Sequence, residues 1–349
     1  MIVSDLQTAL IPLLRHYDKD QICVIHDAAI SLPNAPWAEG ALGLSISEET
    51  KSLETVSHIW DVLFEKGITR RGVLVCIGGG VLTDTGGFAA ATYKRGIDYI
   101  NVPTTLLAMI DASSGGKTGI NYNGLKNAIG VFAPPVGTII WPGWLKTLPA
   151  REVLSGFAEM LKTGLIDRCT DRAQKTDRLW NRLLRYDLDR MDITEITPLI
   201  EQCVKVKERI VAADPKEEGL RKVLNLGHTF GHALEEVQMI NGKWGNGQLL
   251  HGFAVVYGMI AELYLSVVKL DCPKAPLQQL TQLMLQYYGK PQCKCSDRDK
   301  LITLMQQDKK NERAAEINCT LIQDIGSPVI NQVITRDEAN EALEYLFSL

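Results

Sequence analysis

Val73-Leu-Val-Cys-Ile-Gly-Gly-Gly-Val-Leu-Thr-Asp84 is the stretch whose reading decides the fold. Five apolar residues run without a polar break into three glycines, and a helical pattern follows to about Tyr93. A continuous apolar run reads as a strand buried on both faces, and the glycines as a tight strand-to-helix turn. Working outward, Ile22-Cys-Val-Ile25 reads as another buried strand, Ser52 to Lys66 as an amphipathic helix, and Tyr99-Ile-Asn-Val102 as a further strand. Strands separated by helices are joined by crossovers, which makes their pairing parallel. The expectation is an α/β fold whose N-terminal part is a doubly wound, Rossmann-like parallel-sheet domain.

Past Pro149 the periodicity changes. Helical spacing dominates over roughly 150–168, 193–213, 224–239, 251–269 and 275–288, and strand-like runs are nearly absent until Cys319-Thr-Leu-Ile322. The chain is therefore expected to divide into an α/β domain, 1–148, and a mostly α-helical domain, 149–349. A ligand site is then expected in the cleft between them.

With 349 residues, 46% hydrophobic and 22% charged, the chain is long enough for about two domains with their own cores. A net charge of -4 argues against a nucleic-acid-binding surface, so any anionic ligand needs a local cluster of lysines and arginines. Neither a signal peptide nor a membrane span of about 20 apolar residues is read in the sequence. The eight cysteines are scattered, and the one close pair, Cys293-Lys-Cys295, lacks zinc-ribbon spacing. These features lead to the expectation of a cytoplasmic protein with reduced thiols and no membrane partner.

Three motifs can carry chemistry. Gly78-Gly79-Gly80-Val81-Leu82-Thr83-Asp84 departs from G-x-G-x-x-G at Thr83, yet glycines at the start of a helix still let a backbone approach a diphosphate. Ser113-Ser-Gly-Gly-Lys117-Thr-Gly119 is not a Walker loop, because Asp111 stands where the first glycine belongs. What remains reads as a flexible glycine-rich loop that presents Lys117, with Lys126-Asn127 soon after. The third motif, Asn225-Leu-Gly-His228-Thr-Phe-Gly-His232, puts two histidines at i, i+4 on one helical face. One such pair reads equally as core or surface histidines. Here His251 follows closely, and Glu159 and Lys162 lie one turn apart on another helix. Glu159, His228 and His251 would make three protein ligands with open positions, as a catalytic divalent metal requires. Lys205, Lys207, Arg209, Lys216, Arg221 and Lys222 precede the histidines, and a few of them can turn inward toward an anion.

Taken together, GGGVLTD, VPTTLLAMIDASSGGKTGIN, LKNAIG, LPAREVLSGFAEMLKTGLI, LNLGHTFGHALE and HGFAV closely resemble the 3-dehydroquinate synthases, of the sugar phosphate cyclase group. The resemblance runs from about residue 45 to 325. It implies a homodimer with NAD and one divalent metal, zinc or cobalt, on Glu159, His228 and His251. It implies NAD contacts at Glu48, Lys51, Gly80, Val81, Leu82, Thr83, Asp84, Thr104, Thr105, Lys117, Lys126, Trp144, Leu145, Lys146 and Thr147. Substrate contacts fall on Arg95, Asp111, Asn127, Lys207 and Arg221, and catalytic roles on Lys117, Lys162, Asn225 and His232. One lysine of Asp308-Lys309-Lys310 is expected to join them. The chain departs from the commoner pattern at Phe253, where many members carry Glu, and at Ile46-Ser47, where they carry an acidic-glycine pair. It also departs in a longer stretch before His251, with Asn241 to Gly247 reading as an inserted loop.

The implied reaction converts 3-deoxy-D-arabino-heptulosonate 7-phosphate to 3-dehydroquinate and phosphate, the second step of the shikimate pathway in aromatic amino-acid biosynthesis. The other readings are a cyclase for a different sugar phosphate (an inosose or valiolone synthase), a metal-dependent polyol dehydrogenase, or a catalytically silent binding protein. The intact buried-type charges argue against silence, because an unused buried charge costs stability.

Overall fold

Five strands pair into one all-parallel sheet in the computed structural model, which describes residues 1–112, 115–167, 178–241, 249–293, 297–307 and 316–349. The strands are β1 (Ile22–Asp27), β2 (Leu42–Leu44), β3 (Val73–Gly78), β4 (Asp98–Pro103) and β7 (Gly137–Thr138), in the order β2-β1-β3-β4-β7. An antiparallel hairpin of β5 (Lys117–Tyr122) and β6 (Leu125–Phe132) is separate from this sheet, as is a second hairpin of β8 (Ile317–Ile322) and β9 (Pro328–Ile334). The helices are α1 (Leu6–Leu14), α2 (Leu53–Glu65), α3 (Gly80–Thr92), α4 (Ala150–Ile166), α5 (Leu179–Leu184) and α6 (Ile193–Ala213). They continue with α7 (His228–Asn241), α8 (His251–Leu270), α9 (Lys274–Leu283), α10 (Arg298–Gln306) and α11 (Arg336–Ser348).

Two compact units emerge, one of residues 1–149 with 192–207 and one of residues 150–191 with 208–349. In the first, β3 is buried at every position, as a strand covered on both faces must be. Alternate residues of β1 and β3 (Cys23, Ile25, Leu74 and Cys76) meet α2 and α3 on one side. Helix α2 buries Val56, Ile59 and Leu63, the i, i+3, i+7 stripe that identified it in sequence, and Ser52 caps its start. Helix α3 begins at Gly80, directly after β3, as the triple glycine implied.

The second unit is built on α8. This helix packs against α4, α7, α9, α11 and β8. Gly258 is what allows α8 to lie so close to the start of α7. A Cβ there would stand 1.9 Å from the Gly227 carbonyl oxygen, and Gly227 itself has φ +82, in the left-handed region. By length and composition α8 alone among the described helices could cross a membrane, but Glu262 interrupts its apolar run and most of it is buried in this core.

The structure corrects three local expectations. Lys117 does not ride on a flexible loop. It starts β5, and the glycines Gly119 and Gly130 face each other in the hairpin where any side chain would strike backbone. Asn225 is not helical with His228. It ends a 3-10 turn, Leu220–Asn225, and α7 begins at His228. Helix α9 stops at Leu283, and Met284–Tyr288 form a π-helical turn.

Candidate functional site

The metal-type cluster lies wholly in the second unit. Glu159 comes from the middle of α4, His228 from the first residue of α7 and His251 from the first residue of α8. The Nε2 atoms of both histidines face the same carboxylate oxygen, at 3.7 Å from His228 and 3.6 Å from His251 to Glu159 Oε1. One ligand atom from each residue lies within 4.8 Å of the others, and one carboxylate with two imidazoles is a donor set suited to zinc or cobalt. Each histidine is also held from behind. Leu226 O lies 3.1 Å from His228 Nδ1, and Glu235 Oε2 lies 3.3 Å from His251 Nδ1. Burial alone would lower the pKa of His251, but the carboxylates of Glu235 and Glu159 outweigh it and push the imidazole up to about 10.

Lys162, one turn beyond Glu159 on α4 and only 2% exposed, pairs with the Glu159 carboxylate. His232 stands a turn after His228 on α7, their ring centroids 5.3 Å apart and that of His251 6.3 Å from His232. Arg221 is buried and anchored, donating from Nη1 to Pro215 O at 2.7 Å and from its backbone to Asp214 Oδ2 at 2.9 Å. Asn225 donates from Nδ2 to Glu217 Oε1 at 3.0 Å.

The residues expected to meet NAD lie in the first unit. Gly80, Val81, Leu82, Thr83 and Asp84 form the first turn of α3, at the C-terminal end of β3, where open α/β sheets bind nucleotides. Lys51 is buried and donates to Asp84 Oδ2 at 2.6 Å and to Asn127 Oδ1 at 2.5 Å, so α3, the α2 entry and β6 share one polar junction. Burial raises the Asp84 carboxyl above the usual range, against the pull of Lys51. Glu48 accepts from Asn121 Nδ2 at 2.9 Å. Thr104 donates its N–H to Gly78 O at 3.0 Å, which ties the β4 exit to the glycine turn, and Thr105 Oγ1 caps the following turn at Ala108. Lys117 is exposed, Lys126 half-buried, and Trp144, Leu145, Lys146 and Thr147 form and close a short 3-10 helix. Asp111 pairs with Lys207, Nζ to Oδ1 at 2.6 Å.

Arg95 is not brought to the other first-unit residues. It is exposed in the turn after α3, at the opposite end of that helix from Gly80, and a 13-residue helix is about 20 Å long. Lys309, Lys310 and the 242–247 part of the inserted loop lie outside the described residues. Phe253 is buried, its ring edge-on to Tyr288 at 4.9 Å with the Arg151 guanidinium 5.5 Å over its face.

Three carboxylates escaped the sequence reading. Glu235 backs His251, and Glu217 backs Asn225. Glu262, fully buried on α8, accepts from Gly227 N at 2.5 Å and Thr229 N at 3.3 Å, so a charge caps the start of the helix that carries His228. Spacing held the signal for two of them. Glu235 lies seven residues after His228, and Glu262 eleven after His251, which are same-face separations on a helix.

Two family models match the chain, 3-dehydroquinate synthase N-terminal over residues 42–155 and 3-dehydroquinate synthase C-terminal over residues 156–311. A 3-dehydroquinate synthase from Parabacteroides distasonis is 39% identical across 99% of this chain and 96% of its own. Another, from Bordetella pertussis, is 39% identical across 85% of this chain and 79% of its own. Among solved structures, a 2-epi-5-epi-valiolone synthase from Streptomyces hygroscopicus with NAD⁺ and Zn²⁺ bound is 27% identical, with TM-score 0.84 over 100% of this chain and 96% of that one. The motifs, the parallel-sheet and helical architecture, and near full-length identity to curated relatives all lead to one assignment: this chain belongs to the 3-dehydroquinate synthase family.

Proposed function

We propose that the protein is a 3-dehydroquinate synthase, a carbon-oxygen lyase that converts 3-deoxy-D-arabino-heptulosonate 7-phosphate to 3-dehydroquinate and phosphate in the shikimate pathway. The observation that carries this reading is the convergence of Glu159, His228 and His251, with buried Lys162 beside them, in a chain of this family. Glu159, His228 and His251 would hold a zinc or cobalt ion, since their donor atoms are of the right kind and already gathered. The first turn of α3, with Lys51 and Asp84 behind it, fits NAD, because its free N–H groups follow glycines that admit a diphosphate. When bound, the two cofactors would supply a reversible hydride acceptor and acidification of coordinated hydroxyls.

The chain's own residues do the rest. Lys162 and Arg221 offer buried positive charge for a phosphorylated acid, and burial strengthens each contact. Within the first unit, Lys117, Lys207 and Asn127 are the substrate residues that the family resemblance implies. His232 moves protons and Asn225 orients hydroxyls during phosphate elimination and ring closure, both lying near the start of α7. A hydride acceptor that is reduced and then reoxidised within one turnover would be needed in catalytic amount only.

The homodimer is assigned to the β5–β6 hairpin. Strand β6 has no partner on its outer edge among the described residues, and Leu125, Ile129, Val131 and Phe132 along it are exposed. An apolar strand edge is a template for pairing, and a second copy satisfies it. The cysteines described are free, which agrees with a cytoplasmic location.

The deciding assay supplies the heptulosonate phosphate with NAD⁺ well below the substrate concentration. Phosphate is expected to accumulate far beyond the NAD present, the NADH absorbance band staying flat, with 3-dehydroquinate identified by mass and NMR. Stoichiometric NADH from glycerol or another polyol, without phosphate release, would favour a dehydrogenase. Turnover only with a different sugar phosphate would favour a related cyclase.

A further inference from the structure

Two imidazoles can place Nε2 on the same ion only if each carries its proton on Nδ1. That proton needs an acceptor, and the two histidines have different ones. His228 Nδ1 faces the Leu226 carbonyl at 3.1 Å, a neutral acceptor that the adjoining turn supplies. His251 Nδ1 faces Glu235 Oε2 at 3.3 Å, a carboxylate only 5% exposed on α7. Burying that carboxylate costs stability unless it is matched, whereas a carbonyl would set the tautomer at no such cost. The carboxylate therefore does something a carbonyl does not: it adds negative charge behind one of the two candidate ligands, while the other carboxylate of the cluster, Glu159, is already paired with Lys162.

Resting on the metal reading above, we propose that Glu235 is a positioning residue for the metal centre, holding His251 with its Nε2 toward the ion and raising its strength as a ligand. The arrangement is rigid by construction. Glu235 rides on the same helix as His228, and the start of that helix is tied to α8, which carries His251, through Glu262. One frame thus sets both histidines and the carboxylate that orients one of them.

The test uses the full-length protein, loaded with zinc or with cobalt. Zinc affinity is read by chelator competition, and the ligand field by the visible absorption of the cobalt form. Glu235→Ala is expected to bind zinc about 10–100-fold more weakly than the unmodified protein. Glu235→Gln, whose amide oxygen still accepts from Nδ1–H, is expected to lose less and to shift the cobalt spectrum. The metal-free Gln variant should melt with the unmodified protein. Should the Ala variant not fold, an unshifted cobalt spectrum and unchanged zinc affinity in Glu235→Gln overturn the proposal. Equal losses in both variants overturn the orienting role as well. Zinc binding that ignores Glu235 but disappears in Glu159→Gln removes this proposal and leaves the metal reading intact. No zinc binding by the unmodified protein removes the metal reading itself.

Discussion

Glu159 has 1% of its surface exposed, and a carboxylate buried that deeply persists only where positive charge matches it. Lys162 provides that match from the next turn of α4, and a divalent ion on the histidine side would add to it. Glu159→Gln keeps the shape and removes the charge. Its expected result is loss of bound zinc by elemental analysis and a fall in turnover of more than about a hundredfold, at about 1.36 kcal/mol per tenfold, with the fold retained by circular dichroism. His251→Ala should behave alike, and full turnover by a metal-free preparation would contradict both. Lys162→Met and Arg221→Met test the anion site. If these buried cations meet the substrate, each costs about 2–4 kcal/mol in kcat/KM. Wild-type kinetics in both would make them structural charges only. Phe253 shows what residue identity alone conceals: its ring packs between Tyr288 and Arg151.

At the scale of elements, the crossing of α7 and α8 decides whether the ligands meet. Gly258→Ala would drive a methyl into the Gly227 carbonyl oxygen, and backbone cannot swing aside as a side chain can. The expected cost is about 3 kcal/mol, the upper part of the overpacking range, read by urea denaturation together with weakened zinc binding. A variant as stable as the parent would mean the helices separate freely. The last helix offers a pH test. Thr335 caps α11, its hydroxyl accepting from Glu338 N at 3.2 Å, while Glu338 accepts from Thr335 N at 2.7 Å and pairs with Lys269 of α8. Partial burial raises the Glu338 pKa, but Lys269 and Thr335 outweigh it and hold the carboxyl below its ordinary 4.5. A lowered native pKa means that the unfolded chain binds more protons as pH falls. This contribution is therefore complete above the ordinary value and vanishes as pH drops through the native one. Thr335→Ala should cost about 1 kcal/mol at pH 7. The gap in urea midpoint between Glu338→Gln and the parent should close in acid, and a gap that persists unchanged would exclude the carboxylate as its source.

For the whole molecule, the exposed β6 edge is the feature that a lone chain leaves unsolved. Phe132→Lys places a charge on that edge, at a residue outside both the proposed metal centre and the NAD-binding turn. If the proposed homodimer pairs through this edge, sedimentation should show dimer giving way to monomer at micromolar concentration; an undisturbed dimer would assign the interface to another face, and a monomeric parent would remove the dimer proposal. Arg95 belongs to the same question, being a substrate residue implied by resemblance that the single chain leaves exposed and a helix length from Gly80.

What the sequence determined by itself is what local periodicity and short spacing encode. The buried strand Val73–Gly78 with its glycine turn, the α2 stripe, the long helices α4, α6 and α8, and the grouping of Glu159, His228 and His251 were all legible. Each shows itself within a few residues, and the triad stands in distinctive motifs. The hairpin at Lys117 was not legible, because its strands are glycine-rich and polar and are made by pairing with each other. Short β2 and β7 likewise exist only by adding to neighbours already in register. Glu217, Glu235 and Glu262 looked like ordinary helix and turn charges until packing set each against a partner far along the chain or across a turn. Burial and the choice of partner are products of tertiary structure, since a carboxylate's role depends on the donors that surround it, and those are set by how the helices cross.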